Sequence, residues 1–192
     1  MATSVRDAEH ATTDQLGLTT PIAGAVLLGL GLGGFFDGIV LHQLLQWHHM
    51  GTSAGFPPDS VENLKLNTLW DGFFHAATWI MTVAGVFLLE RGSHRRHVRW
   101  PATLLVGGML LGWGLFNTVE GLVDHHLLGI HHVNETVPPD QWLLWDVGFL
   151  LWGVAMVVAG WLLTRCSLDE VAARLRDAGD QPGLRGTNRR AA

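Results

Sequence analysis

Two strings in this chain carry residue types that do chemistry. Residues 37–50 read DGIVLHQLLQWHHM and residues 120–133 read EGLVDHHLLGIHHV. They align without a gap. Gly38/Gly121, Val40/Val123, His42/His125, Leu44/Leu127, Leu45/Leu128, His48/His131 and His49/His132 are identical pairs, and Asp37 stands opposite Glu120. Downstream, Leu69-Trp70-Asp71 matches Leu144-Trp145-Asp146, and Phe74 matches Phe149. Imidazole with carboxylate and no thiolate suits Fe, Cu, Mn or Zn. Cys166 is the sole cysteine, which excludes a cysteine-built zinc or iron–sulfur site and a disulfide framework.

The elements that must position these groups are membrane helices. The chain has 192 residues, 48% hydrophobic and only 15% charged, against about a quarter charged in soluble domains. That balance excludes a disordered chain, a basic nucleic-acid binder and an ordinary soluble enzyme. A bilayer core about 30 Å thick needs roughly 20 apolar residues per helix. Four segments qualify, at about 21–47, 66–89, 101–128 and 141–163. Arg91, Arg95, Arg96 and Arg99 crowd the middle loop, and Arg165, Arg174 and Arg176 follow the last span, whereas loops 48–65 and 129–140 hold no arginine. The positive-inside rule then puts both termini in the cytoplasm and those two loops outside. The expected fold is an all-α membrane protein, a four-helix transmembrane bundle of two repeated hairpins over 21–165. Residues 1–20 form a cytoplasmic polar tail. Residues 166–192 form a second tail, with a short amphipathic helix marked by Leu168, Val171 and Leu175. Glycines at 29, 33, 34 and 38, and at 107, 108, 112 and 114, are spaced for close helix contacts.

Depth follows from a rise of about 1.5 Å per residue. His42, His48, His49, His75, His125, His126, His131 and His132 all fall in the outer half of the membrane. So do Asp37, Asp71, Glu120, Asp124 and Asp146. A charge at mid-bilayer costs at least ~2.5 kcal/mol, so five unpaired carboxylates would cost on the order of 10 kcal/mol. A metal cluster answers that cost better than a purely structural hydrogen-bond network. His42, His49, His75, His125 and His132 are expected as primary ligands. Asp37, Glu120, Asp71 and Asp146 are expected to bridge metals, ligate them or orient the imidazoles. Asp124 is the candidate proton acceptor in catalysis. His48 and His131 read either as interfacial anchors or as ligands, and His126 as an outer support. Asp37 and His42 are five residues apart, about 140° on an ideal helix. They converge only if both flank the bundle-facing midline or if the helix is locally loosened.

The strings GFFDGIVLHQLLQWHH (34–49), LWDGFFHA (69–76) and EGLVDHHLLGIHHV (120–133) resemble a bacterial family of predicted membrane proteins, domain-of-unknown-function family 2243. The resemblance covers roughly residues 20–165. It implies a four-span protein of the bacterial inner membrane and supplies no reaction or cofactor. From the residues, the first expectation is a metal-dependent membrane oxidoreductase acting on a lipophilic or small diffusible substrate. The second is a metal-holding protein that serves the assembly of another membrane protein. Bis-His haem on His42 and His125 is the rival cofactor, but it leaves the five carboxylates without a role. An ion conductor needs polar groups in the inner halves as well, and 22–33, 83–89, 102–112 and 153–163 hold almost none.

Overall fold

A computed structural model describes residues 17–94 and 100–179, with side chains described as far as residue 174. The polar N-terminal tail to residue 16, Arg95, Arg96 and Arg99 of the middle loop, and residues 180–192 lie outside the described residues. Those described are helical, without strands. Four helices are long and apolar enough to cross a membrane: Thr19–Leu44, Val61–His94, Ala102–Leu127 and Pro139–Arg174.

Helix α1 (Thr19–Phe36) starts with Pro21 in its first turn, where no backbone N–H is required. At Asp37 its winding loosens into a π-helix, Asp37–Leu44. Helix α2 (Val61–His94) follows a loop. Helix α3 (Ala102–Glu120) starts after Pro101 and loosens in the same way into a π-helix, Gly121–Leu127. A short 3₁₀ turn, Pro139–Gln141, leads into α4 (Trp142–Gly179). Helix α4 runs without a break beyond residue 163, so residues 168–175 continue it. Val171 is buried with Leu18 and Leu104 and closes the end of the bundle opposite the π segments.

Both π segments end with the same bonds. Leu45 N–H donates to the Val40 carbonyl at 2.8 Å and Trp47 N–H to Leu41 at 2.9 Å. Leu128 N–H donates to Val123 at 2.8 Å and Ile130 N–H to Asp124 at 3.0 Å. The chain then reverses through a left-handed residue, Gln46 (φ 50°) in one case and Gly129 (φ 59°) in the other.

Helix α1 packs on α2 and on α3, and α3 packs on α4. Glycine permits the α1–α3 crossing: a β-carbon at Gly29 would lie 2.1 Å from the Met109 carbonyl oxygen, and one at Gly112 2.0 Å from that of Val26. The bundle is apolar outside and polar inside. Trp79, Ile80, Phe87 and Trp152 are exposed, while Asp37, His42, Asn67, Asp71, Thr78 and Asp146 are buried. Lipid replaces water as the outer solvent, so burial no longer sorts apolar from polar side chains.

Gly29→Val and Gly112→Val should each destabilise the protein by at least ~1–3 kcal/mol through overpacking against backbone. Gly72→Ala, where a β-carbon meets nothing within 4 Å, should leave the melting temperature in detergent unchanged. Equal melting of all three would remove the close crossing as a determinant of the fold. Gln46→Gly should raise the melting temperature, by roughly 0.5–1 kcal/mol of relieved left-handed backbone.

Candidate metal centre

The π winding answers the five-residue spacing. Hydrogen bonding from i to i+5 stacks residues five apart, so Asp37 lies over His42 and Glu120 over His125. His42 Nε2 is 2.9 Å from Asp37 Oδ2. The loop after each reversal folds a third ligand inward. Asp37, His42 and His48 form one buried cluster, and Glu120, His125 and His131 form another; in each, one ligand atom per residue lies within 4.8 Å of the others. The clusters adjoin. The rings of His48 and His131 stack 4.5 Å apart at 6°, those of His42 and His48 lie 4.4 Å apart, and those of His125 and His131 4.9 Å apart. The carboxyl groups of Asp37 and Glu120 are near neighbours where the clusters meet.

The imidazoles are held from behind. His42 Nδ1–H donates to Asp71 Oδ1 at 2.9 Å, and His48 Nδ1–H donates to the Val133 carbonyl at 2.9 Å. His131 Nδ1 faces the Met50 carbonyl at 3.4 Å. Pinning Nδ1–H leaves Nε2 as the lone-pair donor, the arrangement found behind metal-bound histidines. Burial, with the neighbouring charges of His131 and His42, pushes His48 well below the ordinary histidine range. Burial and the charge of His42 push His131 down to about 4. Burial thus favours the neutral form of both rings, the form in which an imidazole can ligate a metal.

Nine buried side-chain nitrogen and oxygen atoms among the described residues have no hydrogen-bond partner, and eight belong to the six residues of the two clusters. They include Nε2 of His48, His125 and His131 and Oε2 of Glu120, while His42 Nε2 and Asp37 Oδ2, 2.9 Å apart, have only that ion-pair contact with each other. An unsatisfied buried polar atom costs about 1–3 kcal/mol. Even without the His42–Asp37 pair, the remaining atoms together would cost a large part of the ~5–15 kcal/mol that holds a typical domain folded. These donor atoms are of the types that could hold a metal ion.

The other expected site residues stand further out. His49 Nδ1–H donates to Asp71 Oδ2 at 2.8 Å, and His132 Nδ1–H to Asp146 Oδ2 at 2.6 Å. Asp71 also accepts from Gln43 Nε2 at 3.2 Å and Met50 N–H at 3.2 Å. Asp146 accepts from Val133 N–H at 2.9 Å and stays 3.9 Å from His125 Nδ1. These aspartates, one from α2 and one from α4, link an outer imidazole to the inner set. His75 lies outside both clusters, its ring against Phe35 and Phe74 and its Nε2 buried without a partner. His126 donates to the Gly121 carbonyl at 2.7 Å, away from the clusters. Asp124 is half-buried and belongs to neither.

Sequence reasoning missed the carbonyls of Val133 and Met50, because a backbone acceptor has no residue type to read. It also missed Glu135, which accepts from Ser53 Oγ at 2.6 Å and from His132 N–H at 3.0 Å and so ties the two loops together. Burial raises the Glu135 carboxyl above its usual range.

A family model described as a predicted membrane protein, domain of unknown function 2243, matches residues 24–167. No curated protein and no solved structure matches the chain.

His48→Ala and His131→Ala should each remove about one equivalent of bound metal from detergent-purified protein, as read by inductively coupled plasma mass spectrometry. His49→Ala and His132→Ala should keep the stoichiometry and weaken affinity about 10–100-fold against a competing chelator. The reverse pattern would reassign the inner ligands.

Proposed function

The chain belongs to domain-of-unknown-function family 2243, a family of predicted membrane proteins, and we propose that it carries two transition-metal ions and uses them as a membrane oxidoreductase. One ion is held by Asp37, His42 and His48, the other by Glu120, His125 and His131. The observation that carries this reading is the convergence of buried ligand atoms, most of them without a hydrogen-bond partner, on two adjoining sites. Four imidazoles and two facing carboxylates suit Fe, Mn or Cu, with Zn as the redox-inert competitor. The two hairpins are read as repeated units around a two-fold axis along the membrane normal, which accounts for paired sites with matched ligands. The arginine distribution places the centre toward the outer face of the bacterial plasma membrane.

Burial favours a resident centre over cargo. His42 and His131 are 0% exposed, and exchange of an ion would require the loops to part. The stacked His48 and His131 rings lie among His42 and His125, which favours ions over a haem bridging that pair. Asp71 and Asp146 orient ligands, while Asp124 remains the proposed proton acceptor at the edge of the centre.

A metal-holding protein serving another membrane protein is the second reading. A cavity of about 320 Å³ between the loops, with His48, His49, Ser53 and Glu135 among its lining residues, favours it by offering a route from the loops to His48.

Metal analysis of the wild-type protein should give about two equivalents, lost in His42→Ala/His125→Ala. Dithionite and ferricyanide should interconvert two oxidation states by electron paramagnetic resonance. Zinc alone, or metal stripped within minutes by a weak chelator, would favour the holding role. No metal after reconstitution would sink both.

A further inference from the structure

An apolar cleft of about 870 Å³ opens sideways from the bundle between the π segment of α1 and helix α4, with α3 as its floor. Its size falls within the roughly 300–1,000 Å³ of small-molecule sites. Its rim residues Phe36, Leu45, Leu144 and Trp152 are exposed to the lipid side, so a ligand reaches it from the membrane. Its walls are rich in flat rings, including Trp113, Trp145, Trp152 and Phe149.

The floor carries one polar side chain, Asn117. It is 4% exposed and lines the cleft; its backbone carbonyl accepts from Gly121 N–H, while its side-chain amide makes no hydrogen bond among the described residues. An amide in apolar surroundings requires a partner. Asn117 lies ten residues before Leu127, the end of the third membrane helix, hence roughly 15 Å below that end. The hydrocarbon core is about 30 Å thick. Asn117 therefore sits near mid-membrane, beyond the reach of phospholipid ester groups, and an acyl chain brings no polar atom to it.

We propose that this cleft binds a membrane-soluble aromatic of the quinone class, its ring between the tryptophan walls and one carbonyl or hydroxyl on the Asn117 amide. Offset or edge-on aromatic contacts favour a planar ring over a flexible chain. The proposal names the substrate class of the redox centre and rests on that reading for its purpose. The two sites share a wall. The Phe149 ring lines the cleft and lies 5.3 Å from the His125 ring. Val133 lines the cleft and accepts the His48 Nδ1–H.

The test is titration of the full-length protein in nanodiscs with duroquinone, read by quenching of tryptophan fluorescence. Durene, the same methylated ring without carbonyls, serves as competitor. Quenching should saturate, and durene should compete poorly. Asn117→Leu should weaken binding about tenfold, the ratio expected when one buried hydrogen bond is lost. Gly148→Leu should abolish saturation. Gly148 lines the cleft, and a β-carbon there meets nothing within 4 Å, so the leucine fills the cleft without disturbing the backbone. Metal content, measured on the same samples, should be unchanged in both variants. Linear, unsaturable quenching would overturn the proposal, as would equal competition by durene or indifference to both substitutions. Saturable binding by a protein without metal would keep the cleft and dismiss the redox centre. Metal without saturable quenching would do the opposite.

Discussion

A carboxylate and an imidazole five residues apart do not share a face of a regular α-helix, and in this protein the ends of two membrane helices are wound to make them do so. The π segments Asp37–Leu44 and Gly121–Leu127 give up α-helical hydrogen bonding exactly where it would separate the ligands. Bulges of this kind recur at functional sites because the local loss must be offset by something the site gains. Here the gain is buried acidic and basic groups brought together, Asp37 2.9 Å from His42 and Glu120 within 4.8 Å of His125, with further groups added after each chain reversal.

The second helix of each hairpin supplies the support. Asp71 on α2 joins His42 to His49 and accepts a backbone N–H from Met50. Asp146 on α4 plays the corresponding part toward His132 and Val133. Asp71 thus fixes an inner ring and the loop beside it, while Asp146 fixes the outer ring of His132 and the backbone N–H of Val133. The arrangement is not identical in the two halves, since Asp146 stands back from His125 by 3.9 Å. The loops are then laced to each other by Ser53 N–H to the Ile130 carbonyl at 3.0 Å and Glu135 N–H to the Trp47 carbonyl at 2.9 Å.

Helix contact without a hydrophobic driving force completes the frame. Glycines bring backbone against backbone at the α1–α3 crossing and along both hairpins, where dispersion replaces the hydrophobic effect. The same economy of side chains leaves the α1–α4 side less filled, and the apolar cleft lies there, one side chain away from the imidazoles.

Much of this was legible in the residues. Twenty-residue apolar runs, separated by polar loops, determine four membrane helices, because a lipid core admits backbone only when its hydrogen bonds are internal. The gapless match of 37–50 with 120–133 determined that His and carboxylate would gather at one end. The spacing of Asp37 from His42 already demanded a loosened helix or an off-centre pair, and the structure shows the former. What the sequence left open is which of two adjacent histidines turns inward. His48 and His49, like His131 and His132, are identical in type and differ only in position. Periodicity put His42 and His49 on one face, but that inference needs a helix continuing to residue 49. The helix stops at Leu44 and the chain turns through Gln46 and Gly129 in left-handed conformation, so helical phase is lost. Direction is then set by tertiary bonds, the Val133 and Met50 carbonyls behind His48 and His131 and the aspartates behind His49 and His132.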